Sequence, residues 1–206
     1  MAIRGYFKNK TFLTWMASYT FVLIIPLLIG VFAYSVSIRV ISEEVNKVHN
    51  TSLREVKTFI DGNLEKIVSA ANEISLNEGA RAIAALEGPL TFSDYNNIGL
   101  IQKDLSILQR SDDFIDYCYL YSRKHNLLIS SERIFDVDSL EYAVQKDFGM
   151  SYGEWLALVN SNEGEKFTIG SRVLDDGIFV NKVIFSRPMS TFNFNQPEAT
   201  IFITVD

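Results

Sequence analysis

Cysteine and histidine are scarce in this chain, and their scarcity argues against two kinds of site. The one cysteine, Cys118, cannot form an intrachain disulfide, and it lies in an apolar run where a lone thiol usually packs as a small core side chain. The two histidines, His49 and His125, have no second histidine, cysteine or acidic residue at metal-ligand spacing. We therefore expect no metal site and no cofactor.

Acidic side chains are missing from the first 38 residues, which carry Arg4, Lys8 and Lys10 and therefore a charge of +3. The other residues contain 16 basic and 25 acidic side chains, which gives a charge of −9. Because phosphate contacts require a basic surface, this acidic part is a poor partner for nucleic acid. We expect that this segment binds neither DNA nor RNA.

Charge of either sign is missing from residues 11–38, TFLTWMASYTFVLIIPLLIGVFAYSVSI. As a helix this run would be ~42 Å long at ~1.5 Å per residue, whereas the hydrocarbon core of a bilayer is ~30 Å thick. Pro26 and Gly30 weaken soluble helices but are common in spanning ones. The run predicts a transmembrane helix over residues 12–38 after a leader of residues 1–11. Aromatic residues suited to the two membrane interfaces are Trp15, Tyr19 and Tyr34.

A cleaved signal peptide is the main alternative for the apolar run, because Ala33-Tyr34-Ser35 resembles a weak cleavage site. Signal peptides usually have a shorter apolar stretch of ~7–15 residues, which favours the retained anchor. Basic residues precede the run closely, whereas Glu43 and Glu44 follow it. The positive-inside rule then predicts a cell-membrane protein with a cytoplasmic N-terminus and with residues 39–206 outside the cell.

Residues 39–77 contain no proline, and their apolar positions recur mostly at steps of three and four. This spacing predicts a long amphipathic helix that follows the membrane span. Its apolar stripe can pack on its own domain or on the same helix of a second copy, so a homodimer is one of the two expectations. The residues expected at this contact are Val45, Val48, Val56, Phe59 and Ile67.

Residues 78–206 change from helical to strand periodicity after residue 113. We expect a helix from Asp94 to about Gln109 with Ser93 as its N-cap, then a strand, FIDYCYLYS, with tyrosines on one face. The predicted fold is α+β, an antiparallel sheet of about five strands flanked by helices. The predicted strands are 114–122, 127–130, 166–173, 178–187 and 199–205, with a hairpin turn at Asp175-Asp176-Gly177.

The segment FKNKTFLTWMASYTFVLIIPLLIGVFAYS, followed by a long helix and by YCYLYSRKHNLLISS, Trp155 and FVNKVIFSRPM, resembles a known layout. It is similar to the N-terminal part of membrane-bound AraC-type transcriptional regulators of Gram-positive bacteria, and sensor histidine kinases share that layout. The resemblance implies a transmembrane span and an extracellular, PAS-like Cache domain that binds a small molecule. The chain ends after ATIFITVD, with no second span and no output module, so we expect a fragment of a longer sensor.

A Cache-type pocket needs aromatic walls and a few fixed polar groups on the sheet. Core packing is the competing interpretation for the aromatic candidates and a solvated ion pair for the arginines. No catalytic pair is evident, because the adjacent carboxylates of Asp112-Asp113 point apart, so we expect no enzyme activity. A membrane-tethered protein-interaction module remains an alternative. The candidate ligand-binding residues are Tyr119, Tyr121, Arg133, Trp155, Asn181 and Arg187.

Overall fold

The computed structural model describes residues 10–161, 164–173, 179–190 and 197–205. The chain divides into two compact units, one that reaches to Ile60 and one that runs from Asp61 to the C-terminus. The predicted turn at 175–177 and the predicted strand start at residue 178 lie outside the described residues.

Helix α1 extends over Lys10–Leu76, so the predicted transmembrane and amphipathic segments form one helix. Pro26 lies inside it. The most apolar part has a mean hydropathy of 2.5 and exposes all its side chains, and its length and composition are those of a helix that can cross a membrane. A signal sequence near an N-terminus has the same properties. The helix is thus consistent with a single span.

Two helices follow, α2 (Glu78–Ala85) and α3 (Phe92–Ser111). Asn77 separates α1 from α2 and caps α2, because its Oδ1 accepts a hydrogen bond from the Ala80 amide at 2.9 Å. The N-cap of α3 is Thr91, not Ser93 as the sequence predicted. The Asp94 carboxylate binds both the amide and the hydroxyl of Thr91, at 2.7 and 2.6 Å, and this contact sets the start of α3.

The sheet confirms the predicted α+β class and has six antiparallel strands in the order β3-β2-β1-β6-β5-β4. The sequence predicted about five, because a two-residue strand such as β3 shows no alternation that a pattern could reveal. The central pair joins β1, whose two faces are both apolar, to β6, which is buried along its whole length. The strands are β1 (Tyr117–Ser122), β2 (Leu127–Ser130), β3 (Ile134–Phe135), β4 (Lys166–Val173), β5 (Phe179–Met189) and β6 (Ala199–Val205).

Helices cover both faces of the sheet. The C-terminal part of α1, together with α2 and α3, packs on the face that carries Cys118 and Leu120. The other face, which we call the tyrosine face, carries Tyr119 and Tyr121 of β1 and Phe202 of β6. It is covered by α4 (Val137–Ala143), a π-helical turn (Val144–Phe148) and α5 (Tyr152–Asn160).

The π-helical turn contacts the edge strand β4 closely. Gly149, which ends the turn in the left-handed conformation (φ 63°), accepts a hydrogen bond from the Ser171 amide at 2.9 Å. A Cβ atom on Gly170 would lie 1.8 Å from the Phe148 carbonyl oxygen. Only glycine at position 170 therefore allows this approach of strand and turn.

Candidate functional site

A cavity of about 150 Å³ opens on the tyrosine face near its β3 side. Strands β1, β2, β3 and β5 and the π-helical turn supply its walls, together with the turn that joins β2 to β3. Its volume is well below the ~300–1,000 Å³ of pockets for drug-sized ligands, so it suits a small molecule. Its lining residues are Tyr117, Tyr119, Ser130, Glu132, Arg133, Phe135, Lys146, Asp147 and Lys182.

Two tyrosines of β1 form the floor because they lie two residues apart and so point to the same face. Their ring centroids are 6.0 Å apart, and the Tyr119 ring lies 4.8 Å from that of Phe148. Burial raises the pKa of Tyr119, and the nearby Asp147 carboxylate, with which its hydroxyl is hydrogen-bonded, raises it further. Burial also raises the pKa of Tyr117. Both phenols therefore stay neutral and can donate hydrogen bonds.

Two lysines reach the cavity from elements far apart in the chain. Lys182 of β5 forms an ion pair with Asp116, and its Nζ lies 5.9 Å from the centre of the Tyr117 ring. The side chains of this pair are only 12% and 22% exposed, so the charges are poorly screened by water. Lys146 comes from the π-helical turn, and its Nζ lies 5.6 Å from the centre of the Tyr142 ring.

The turn between β2 and β3 holds Arg133 at the cavity through Ser130. The Ser130 amide donates to the Arg133 carbonyl at 2.8 Å, and the Ser130 Oγ accepts from the Arg133 amide at 3.0 Å. The buried Ser130 hydroxyl is part of the cavity wall as well. This closed turn fixes the backbone of two charged lining residues, Glu132 and Arg133.

The cavity presents both signs of charge. Three cations, Arg133, Lys146 and Lys182, line it together with the carboxylates Glu132 and Asp147. The cations of this lining can pair with an anionic group on a small ligand. The neutral phenols can donate hydrogen bonds to the rest of the ligand or accept them from it, and the carboxylates can accept them. Among the described residues, no three histidine, cysteine or acidic side chains converge as a metal ion would require.

The structure brings two of the six predicted ligand residues, Tyr119 and Arg133, to this cavity. Tyr121 and Trp155 pack against each other in the core of the tyrosine face, with ring centroids 4.6 Å apart. The Tyr121 hydroxyl donates to Asn126 Oδ1 at 2.8 Å, and Trp155 is 0% exposed. Core packing, the competing interpretation, describes these two aromatics.

The remaining two candidates, Asn181 and Arg187, lie on the opposite face of the sheet. Both are odd-numbered residues of β5, so their side chains lie on the same face as that of Phe185. Phe185 belongs to the core that α1 covers. Arg187 lies 3.6 Å from Glu165, and it also donates at 2.5 Å to Asn72 of α1. Asn181 Oδ1 accepts a hydrogen bond from the Ser171 hydroxyl at 2.8 Å. The structure does not bring these two side chains to the cavity.

Seven lining residues were missing from the sequence-based set, and four of the seven are charged. Lys182 could have been found, because it alternates in phase with the buried Ile184 of the tyrosine face. Lys146 and Asp147 carry no such signal, since their direction depends on a π-helical turn that local sequence does not reveal. Glu132 lies in an irregular turn, where no periodicity exists.

The five residues expected at a helix contact divide between the two units. Val45, Val48, Val56 and Phe59 are exposed in this chain, whereas Ile67 is fully buried in the core of the second unit.

Comparison with known proteins adds no family to these observations. No protein-family model matches the chain, and no curated protein sequence matches it.

Proposed function

We propose that this chain is the membrane-anchored sensor region of a signalling protein. In this proposal residues 61–206 bind a small polar molecule outside the cell. The observation that carries the proposal is the cavity on the tyrosine face, in which three cations from three separate elements meet two neutral phenols. No catalytic role is proposed for it.

The anchor is supported by helix α1, whose apolar part has the length and hydropathy of a membrane span. Its orientation rests on charge alone. Arg4, Lys8 and Lys10 precede the span and Glu43 and Glu44 follow it, so the positive-inside rule favours a cytoplasmic N-terminus and an extracellular sheet domain.

The signal would pass from the sheet domain to α1 and through the membrane. A ligand can shift such an equilibrium only if it binds two arrangements of the protein with different affinity. By resemblance, the output is that of an AraC-type transcriptional regulator, with a sensor histidine kinase as the alternative. A Cache-type sensor domain is the form of ligand domain that the resemblance implies.

Thermal unfolding of the intact chain in detergent tests the ligand proposal. A panel of sugars, amino acids and small carboxylates would be screened for a rise in Tm. A ligand at one hundred times its Kd adds about 2.7 kcal/mol to the free energy of unfolding, which corresponds to a rise of roughly 5–10 °C in a domain of this size.

Matched variants then locate the site. Arg133→Ala and Lys146→Ala should abolish the rise in Tm, because both side chains line the cavity. Asn181→Ala should leave it unchanged, because Asn181 lies on the other face of the sheet. A ligand whose effect survives the first two substitutions, or disappears with the third, would contradict the proposed site.

A protein-interaction module is a second candidate, favoured by apolar side chains that remain exposed on β4 and β5. Phe167, Ile169 and Val183 are 46%, 69% and 37% exposed, and in the register of the two strands they lie on one face. If this patch binds another protein, Ile169→Lys should prevent co-purification of that protein and leave any response to small molecules intact.

A further inference from the structure

A second cavity, of about 210 Å³, lies among the helices that cover the other face of the sheet. We call it the helix cavity. Residues of α1 and α3, with Asn77 and one residue of α2, form its walls, and all of them belong to the second unit. Most of the lining is aliphatic and buried. The buried aliphatic residues are Ile74, Ala80, Ile101, Leu105 and Leu108.

The rest of the lining carries negative charge. The carboxylates of Glu73 on α1 and Asp104 on α3 both line the cavity and both reach solvent. Neither forms an ion pair with a described residue, and no described lining residue is basic. Helix α1 also ends here, at Leu76, and its last turn contains no basic residue. The partial negative charge of a helix C-terminus therefore adds to that of the two carboxylates, and the cavity attracts a cation.

Asn77 fixes the polar side of the helix cavity. Its Oδ1 accepts the hydrogen bond from the Ala80 amide, and its Nδ2 donates to Asp104 Oδ2 at 2.7 Å. These two bonds set the orientation of the amide and hold the Asp104 carboxylate at the cavity. Asp104 Oδ1 and a second lone pair on Asn77 Oδ1 remain as acceptors. Together with the carboxylate of Glu73, three acceptor groups are available to one ligand.

Three acceptors beside a buried aliphatic surface match a primary ammonium group on a hydrocarbon chain. Such an ammonium has three N–H donors and no acceptor. A quaternary ammonium has no N–H and is usually held by aromatic rings, which are absent from the described lining. The lining thus selects among cations by both its polar and its apolar parts.

We propose that the helix cavity binds a small primary alkylamine. Its ammonium lies between Glu73 and Asp104, and its chain lies on the buried aliphatic residues. Because one carboxylate belongs to α1 and the other to α3, the bound amine joins the two helices. This site is separate from the cavity on the tyrosine face and does not depend on the proposed anchor or on the ligand proposed there.

Thermal unfolding of the intact chain in detergent at pH 7, with n-pentylamine as the probe, tests the proposal. At ten times its Kd the protonated amine should raise Tm by roughly 3–6 °C. n-Pentanol has the same chain without the charge, and ammonium chloride has the charge without the chain, so each should give a much smaller rise. No rise with the amine overturns the site, and an equal rise with n-pentanol overturns the role of the carboxylates.

A lysine introduced at the mouth of the helix cavity should compete with the amine. Ile107 lines the cavity three residues after Asp104 and is 56% exposed, so Ile107→Lys supplies an ammonium without disturbing the core. The matched control is Val137→Lys, because Val137 is 62% exposed and begins α4 on the opposite side of the sheet. The first variant should lose the rise in Tm and the second should keep it. A response that survives Ile107→Lys, or that disappears with Val137→Lys, overturns the location.

Removal of each carboxylate charge measures its contribution. Glu73→Gln and Asp104→Asn should each raise the Kd for n-pentylamine by about fivefold, the upper range for an ion pair that water can reach. An asparagine at position 104 can still accept the hydrogen bond from Asn77, so the cap of α2 is kept. An unchanged Kd in both variants overturns the proposal.

Two further arms identify the source of the amine and separate the two cavities. A larger rise with Nα-acetyl-lysine amide than with n-pentylamine would assign the helix cavity to a lysine side chain of a partner protein, and would overturn the free amine. Arg133→Ala should leave the response to n-pentylamine intact, because Arg133 lines the cavity on the tyrosine face. Loss of the response in that variant would overturn a separate site, whereas failure of the ligand screen described above would leave this proposal standing.

Discussion

Replacement of Gly170 by alanine tests the contact between the edge strand β4 and the π-helical turn. The new Cβ would lie 1.8 Å from the Phe148 carbonyl oxygen, and such atoms essentially never approach closer than 3.0 Å. Strand and turn must therefore separate by about 1.2 Å. Overpacking of this kind costs about 1–3 kcal/mol, and loss of the hydrogen bond from Ser171 to Gly149 costs about 0.5–1.5 kcal/mol more.

The expected result is a loss of about 2–4 kcal/mol in the free energy of unfolding, or a fall in Tm of roughly 5–15 °C. Fluorescence of the buried Trp155 would report the transition in a Trp15→Phe background, which leaves one tryptophan. The matched control is Gly99→Ala in the middle of α3, where a Cβ meets nothing within 4 Å. That change should stabilise the protein by about 0.5–1 kcal/mol, because alanine is the better helix former.

An unchanged Tm for Gly170→Ala would refute the close approach of strand and turn. Equal losses for both glycine variants would show that the effect is not local. Because the π-helical turn supplies Lys146 to the cavity, Gly170→Ala should also weaken binding of any ligand found there.

Three further predictions follow from buried or paired ionisable groups. A hydrogen bond from Lys66 and one from the Phe114 amide lower the pKa of Asp112, so its stabilisation is present above the usual carboxyl pKa and is lost as the pH falls through the lowered value. Asp112→Asn should therefore lower the free energy of unfolding by up to about 1 kcal/mol at pH 7, and the variant should lose less stability than wild type in acid. Urea unfolding measured between pH 5 and pH 2 would contradict this if both proteins lost the same amount of stability. Burial raises the pKa of Tyr121 to about 12. The difference between the ultraviolet pH titration curves of wild type and Tyr121→Phe should therefore have its midpoint at about pH 12. A midpoint at about pH 10 would refute the burial. Burial also raises the pKa of Cys118 to about 12, so a thiol reagent should label it only after denaturation; rapid labelling of native protein would place it at the surface.

The parts of the fold that the sequence predicted are those with a strong periodic pattern. The tyrosines of β1 alternate with Cys118 and Leu120, and both sets are buried, so the strand and its central place were readable from residues alone. The long uncharged run and the three–four spacing after it predicted α1 in the same way.

The cavity was less predictable because its walls depend on tertiary register. In β5 the even-numbered Lys182 points to one face of the sheet, and the odd-numbered Asn181 and Arg187 point to the other. Only the pairing with β6 decides which of these faces carries the tyrosines. Phe202 lies opposite Tyr119 on one side and Ser186 on the other, and this register assigns the even-numbered residues of β5 to the tyrosine face. No local pattern contains that information.

Strand β6 has a consequence for how the protein is made. Residues 199–205 are the last described residues, yet they lie between β1 and β5, and among the described strands it is their backbone hydrogen bonds that join the two halves of the sheet. While the ribosome is still synthesising the chain, each half has an unpaired apolar edge, and closing the sheet requires contacts far apart in sequence, which form slowly. The nascent domain therefore cannot complete this sheet until β6 has emerged, and until then the two apolar edges are open to aggregation.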